Sequence, residues 1–102
     1  VAEPLASAAE RAAFAGPGPL LLALPGSRRG EVARLAPVFQ DVVARLKARH
    51  PDLRVALPTV QGVAGLVRDV TAGWAVQPQI IQQPSAKRGA FAAADVALAA
   101  SG

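Results

Sequence analysis

At 102 residues the chain can fold as one small domain, and with 24 alanines and four aromatics (Phe14, Phe39, Trp74, Phe91) its large core anchors are few. It has no cysteine and one histidine, His50, which excludes disulfides, thiolate zinc sites, cysteine nucleophiles and multi-histidine metal clusters. The formal charge of +4, from 11 basic and 7 acidic side chains, mildly favours an anionic ligand or membrane surface, while the scattered basic residues, without interleaved aromatics, argue against nucleic acid.

Residues 4–15 are alanine-rich and suit a short helix that Gly16-Pro17-Gly18-Pro19 stops. Leu20-Leu21-Leu22-Ala23-Leu24 is a continuous apolar run between prolines, the pattern of a strand buried on both faces in a parallel sheet. From Glu31 onward, Val32, Leu35, Ala36, Phe39, Val42, Val43 and Leu46 recur on one helical face and Arg34, Asp41, Arg45 and Arg49 on the other. Pro37 predicts a kink, or the start of regular helix, near it, and His50-Pro51-Asp52 ends the helix. Leu53–Leu57 reads as a second strand stopped by Pro58, and residues 60–72 as a helix stopped by Gly73. Trp74–Val76 reads as a third, weaker strand reaching towards Ile80 and Ile81. Residues 86–94 form a small-residue helix and 95–100 a fourth strand.

Strands and helices in alternation predict an α/β fold: a partial doubly wound, Rossmann-like parallel sheet of about four strands with helices on both faces. No apolar run is long enough to span a bilayer and no signal-peptide pattern opens the chain, so it reads as soluble. The last strand stops at Ser101-Gly102, where a loop and a helix ought to follow, and the sheet therefore reads as truncated.

In open parallel sheets ligands bind outside the carboxyl ends of the strands, where the strand order reverses. With an order of 3-2-1-4, Pro25-Gly26-Ser27-Arg28 and Ser101-Gly102 leave the first and fourth strands at the same edge and face one crevice. The first loop suits a phosphate. Gly26 permits close backbone approach, Ser27 supplies a hydroxyl, the amides that follow open a helix, and Arg28 adds a planar fork able to hold two oxygens. Glu31, in the first helical turn, suits the helix dipole and is placed to accept a sugar hydroxyl. On these residues alone a second reading stands equally: Ser27 a helix cap, Arg28 a solvated side chain and Glu31 a dipole-satisfying acid. The loop matches neither the Walker pattern nor the dinucleotide fingerprint. His50 reads as a helix-end residue, Trp74 as core, Asp95 as a turn residue, and Lys87-Arg88 as a solvated charge pair.

Leu24-Pro25-Gly26-Ser27-Arg28-x-x-Glu31-Val32, followed by Leu35-x-Pro37-x-Phe39, resembles the signature that opens the donor-binding domain of bacterial lipid-A-disaccharide synthases. His50-Pro51-Asp52-Leu53 and the run from Ala93 to Gly102 are similar to the same family, and the match covers most of residues 20–102. The resemblance implies a metal-independent, cofactor-free glycosyltransferase of the two-domain GT-B type in Gram-negative bacteria. It implies a cytoplasmic enzyme, peripheral at the inner membrane face, with no nucleic-acid partner. Its reaction would move 2,3-diacylglucosamine from the UDP-activated donor to 2,3-diacylglucosamine 1-phosphate, forming the lipid A disaccharide and UDP. By this carry-over Gly26, Ser27 and Arg28 cradle the UDP diphosphate, Arg28 acts catalytically by offsetting charge on the leaving UDP, and Glu31, Ser101 and Gly102 line the donor crevice. Residues 1–19 then lead into the domain, residues 20–102 form its first part, and the segment alone is expected to be inactive. Two other readings are a donor domain of another UDP-sugar GT-B enzyme, such as an N-acetylglucosamine transferase or epimerase, and a non-catalytic phosphate-binding α/β module.

Overall fold

The computed structural model describes residues 7–99. In chain order the elements are α1 (Ala8–Ala12), β1 (Leu20–Leu24), α2 (Arg29–Arg49), β2 (Arg54–Pro58), α3 (Gln61–Thr71), β3 (Gln79–Ile81), α4 (Pro84–Ala93) and β4 (Val96–Ala99). The strands form one parallel sheet in the order β3-β2-β1-β4, as the alternation predicts. β1 lies between β2 and β4, and its leucines alternate between two cores. Leu21 and Ala23 join Val32, Phe39 and Val43 of α2 and Val67 of α3 on one face. Leu20 and Leu22 join Phe14, Ile81 and Ala90 on the other. That two-sided burial explains the unbroken apolar run, and each fully buried leucine contributes roughly 1.5–3 kcal/mol.

The third strand falls later than predicted. Trp74 is a core residue, as read, but residues 74–76 are not in a strand, and β3 is confined to Gln79–Ile81. The reason lies in Gln77, whose amide donates to the carbonyls of Thr71 (3.1 Å), Ala72 (3.0 Å) and Trp74 (3.3 Å). These bonds hold the chain through residue 77 in a turn against the end of α3, where the Thr71 carbonyl also accepts from the Trp74 amide (3.0 Å), before the chain enters the sheet. The first helix, expected over residues 4–15, ends at Ala12, and residues 4–6 lie outside the described residues; Ser7 caps it, its hydroxyl accepting from the Glu10 amide while the Glu10 carboxylate accepts from the Ser7 amide. α2 begins two residues before Glu31 and runs through Pro37 as a single element, so the proline neither starts nor divides it.

Two polar side chains fix the amino edge of the sheet. Asp95 accepts from the buried Leu20 amide (2.8 Å) while its own amide donates back to the Leu20 carbonyl (2.9 Å), which makes it the structural turn residue that was expected. Arg54 donates to the carbonyls of Phe14 (2.5 Å) and Gly18 (2.7 and 3.2 Å), holding the Gly-Pro loop against β2. Arg88 departs from the solvated reading. It reaches Glu10 at 2.7 Å, joining α4 to α1, where Gly89 lets the two helices approach until a β-carbon would overlap the Glu10 carbonyl.

Candidate phosphate-binding loop

The loop after β1 is set by the residues on either side of it. Leu24 ends the strand, Pro25 is buried, and Gly26 turns the chain with φ of +113°, a conformation that side chains other than glycine rarely adopt. The helix that follows has Arg28 as its N-cap, in extended conformation, with its carbonyl accepting from the Val32 amide at 2.9 Å. No side chain caps α2. Ser27 is therefore not the cap of the alternative reading, and its hydroxyl is exposed beside the helix start. The amides of residues 29–31 precede the first intrahelical bond and carry the positive end of the dipole.

Glu31 does more than offset that dipole. Its side chain folds back over Gly26, and a β-carbon at position 26 would overlap its Oε1, Cδ and Cγ atoms. The open side of Gly26 is thus filled from within the chain. Ser27, Arg28 and Arg29 remain exposed at the rim. Leu24 of β1 pairs with Ala99 of β4, so the carboxyl ends of the two strands lie side by side at one edge of the sheet. The strand order reverses between these two strands, with α2 and α3 on one face of the sheet and α1 and α4 on the other. Ser101 and Gly102 lie outside the described residues.

Two features of this edge were not legible in the sequence. Arg29 stands exposed as the first residue of α2, beside Arg28, and only the position of the helix start distinguishes it from the other arginines. Thr59, just after β2, is 4% exposed and its hydroxyl has no hydrogen-bond partner among the described residues. Its amide donates to the Ile81 carbonyl (2.8 Å), which ties β2 to the end of β3. A concavity of about 1000 Å³ lies elsewhere, at the amino edge, between Arg11, Phe14, Pro17, Arg54, Ala92 and Asp95. Its two best-placed polar side chains, Arg54 and Asp95, are engaged in the structural bonds described above, which leaves the loop after β1 as the better ligand candidate. Among the described residues no group of three His, Asp or Glu side chains is placed to hold a metal, and no helix is long and apolar enough to cross a membrane.

Together the sheet order and the helices on its two faces define a doubly wound, Rossmann-like α/β fold, with the uncapped start of α2 at its switch point. The model of the family described as lipid-A-disaccharide synthetase matches residues 5–102. Curated relatives called lipid-A-disaccharide synthase include those of Ruegeria pomeroyi, 49% identical over 100% of this chain and 29% of its own length, and Rhodopseudomonas palustris strain CGA009, 47% identical over 93% of this chain and 24% of its own. That of Paramagnetospirillum magneticum is 46% identical over 90% of this chain and 23% of its own length. The chain belongs to the lipid-A-disaccharide synthetase family, and it spans less than a third of the length of these relatives.

Proposed function

We propose that this chain supplies the donor-diphosphate loop of a glycosyltransferase that makes the lipid A disaccharide. Residues 20–102 are the first part of its UDP-sugar domain, and residues 1–19 lead into it. The carrying observation is the uncapped start of α2, with Ser27 and Arg28 exposed where β1 and β4 end side by side. The amides at the start of α2 and the Ser27 hydroxyl hold the diphosphate of UDP-2,3-diacylglucosamine. Arg28 lies over its oxygens as a two-pronged donor.

When a hydroxyl of 2,3-diacylglucosamine 1-phosphate attacks the donor's anomeric carbon, the bond from that carbon to the diphosphate breaks and its electron pair passes to UDP. The Arg28 guanidinium offsets the charge that grows there, and needs no metal to do so. Glu31, anchored over Gly26, accepts a hydroxyl of the donor, and Ser101 and Gly102 close the crevice from the β4 side. The proton of the attacking hydroxyl goes to a base outside this segment, so the segment alone turns nothing over. The enzyme works in the cytoplasm, peripheral at the inner membrane face.

The test is UDP binding followed by amide resonances of the folded chain. Millimolar UDP is expected to shift Gly26, Ser27, Arg28 and Arg29 and to leave the Arg54–Asp95 edge unmoved. Unmoved resonances at the loop would overturn the assignment.

A further inference from the structure

A helix start is commonly closed by Ser, Thr, Asp or Asn at the N-cap. α3 has Val60 there, exposed and with no side-chain hydrogen bond, while the threonine one position earlier, Thr59, keeps its hydroxyl buried and unpaired among the described residues. The pleat says which way Thr59 faces. Val55 and Leu57 lie in the core beneath α2 and α3, and Ala56 lies in the other core. The Thr59 amide continues the ladder by donating to the Ile81 carbonyl at 2.8 Å, so alternation places its side chain on the α3 side, at the foot of the helix that begins just after it. The Gln61 and Gly62 amides precede that of Val63, which already donates to the Val60 carbonyl at 3.1 Å. Open space stands over Gly62, where a β-carbon would meet nothing within 4 Å. No acid in the first turn of α3 offsets the dipole, in contrast to Glu31 at the start of α2.

We propose that the start of α3 is a second anion subsite, which takes a phosphate monoester: the 1-phosphate of the acceptor sugar. Its oxygens accept from the Gln61 and Gly62 amides and from the Thr59 hydroxyl, which gains the partner that the protein withholds. The donor's diphosphate does not serve both helix starts. α2 and α3 pack side by side on one face of the sheet, and axes of packed helices lie about 8–10 Å apart, further than two phosphorus atoms joined through one oxygen can reach. A phosphate of a second molecule fits instead. The acceptor carries one on the same sugar as its attacking hydroxyl, so that phosphate binds within a sugar ring of the reacting carbon and needs an anion site at this edge. The choice of the acceptor rests on the reaction proposed above, whereas the subsite itself rests on Thr59 and the open helix start.

The experiment titrates the protein, produced at the full length of its reading frame and saturated with UDP, with glucosamine 1-phosphate, inorganic phosphate or glucosamine, and follows amide resonances. Glucosamine 1-phosphate is expected to shift Thr59, Gln61 and Gly62 and to bind more tightly than inorganic phosphate, while glucosamine shifts none of them. Two variants carry the decision. Thr59→Val keeps the shape and removes the hydroxyl, and is expected to weaken glucosamine 1-phosphate about tenfold, the scale of a hydrogen bond to a charged group. UDP binding should stay intact and the melting temperature should not fall, whereas a hydroxyl kept only for structure would lower it. Gln61→Pro removes one amide at the first helical position, where proline is tolerated after an extended residue such as Val60, and should weaken the sugar phosphate several-fold. Unchanged affinity in both variants, or unmoved Gln61 and Gly62 resonances, would overturn the subsite. Inorganic phosphate bound as tightly as the sugar phosphate would overturn the acceptor assignment. Should the loop after β1 ignore UDP while Gln61 and Gly62 respond to the phosphates, the donor reading falls and the α3 subsite stands.

Discussion

The Glu31 side chain occupies the volume in which any residue other than glycine at position 26 would place its β-carbon. Strand end, turn and helix start are thereby joined by one contact between residues five apart. Glu31 can fold back in this way only while position 26 carries no β-carbon, and Ser27 and Arg28 stand exposed beside the contact.

Gly26→Ala is therefore expected to destabilise the chain by about 1–3 kcal/mol through backbone strain, with a further loss from the overlap with Glu31. Adding Glu31→Ala should recover the overlap and leave the strain. Chemical denaturation of both singles and the double variant measures this, and simple additivity would show that the contact carries no energy.

Arg28→Ala in the full-length enzyme is expected to slow the transferase by an order of magnitude or more, the scale of losing a donor to developing negative charge. Arg28 is exposed and caps nothing with its side chain, so the melting temperature should stay unchanged. Steady-state kinetics decides; unaltered turnover would remove Arg28 from the mechanism.

The amino edge should behave in the opposite manner. Asp95→Ala takes the acceptor from the buried Leu20 amide, at a cost of about 1–3 kcal/mol, and Asp95→Asn, which keeps an acceptor oxygen, should cost less. Arg54→Ala strips the carbonyls of Phe14 and Gly18 of their donor and should cost a similar amount. Both variants are expected to bind UDP normally while they remain folded, which calorimetry can check.

The Glu10–Arg88 pair gives stability a pH dependence. The Arg88 hydrogen bond first, and then the Ser7 amide, lower the Glu10 pKa below its ordinary value of 4.5. A carboxylate with a depressed folded pKa stabilises above its unfolded value and loses that contribution as pH falls through the folded one. The stability gap between the parent chain and Glu10→Gln should therefore be full at neutral pH and close as acid is added below the ordinary carboxylate range. A gap constant across that range would show that the pair contributes nothing through ionisation.

Most of the architecture was legible because its signals are local. The leucine run of β1 reads as two-sided burial, the spacing of Val32, Ala36, Phe39 and Val43 reads as one helix face, and their alternation implies a parallel sheet. The Pro-Gly-Ser-Arg-x-x-Glu stretch pointed to the family. The strand at Trp74–Val76 misled because a buried tryptophan beside a valine has strand composition, whereas the Gln77 amide that closes α3 acts through backbone carbonyls that composition does not reveal. Arg88 misled for a related reason: its partner, Glu10, lies 78 positions away.

By itself, then, the sequence determined which segments are strands or helices, the third strand apart, most of the side chains that avoid water, and which loop carries the glycine and arginine suited to an anion. These are matters of periodicity and backbone permission, settled within a few residues. Only the tertiary structure decided that Glu31 fills the open side of Gly26 and that Leu24 and Ala99 end their strands side by side. Each depends on where a helix starts or which strands pair, and those are set by the burial of the two cores on either side of β1 rather than by any residue's nearest neighbours.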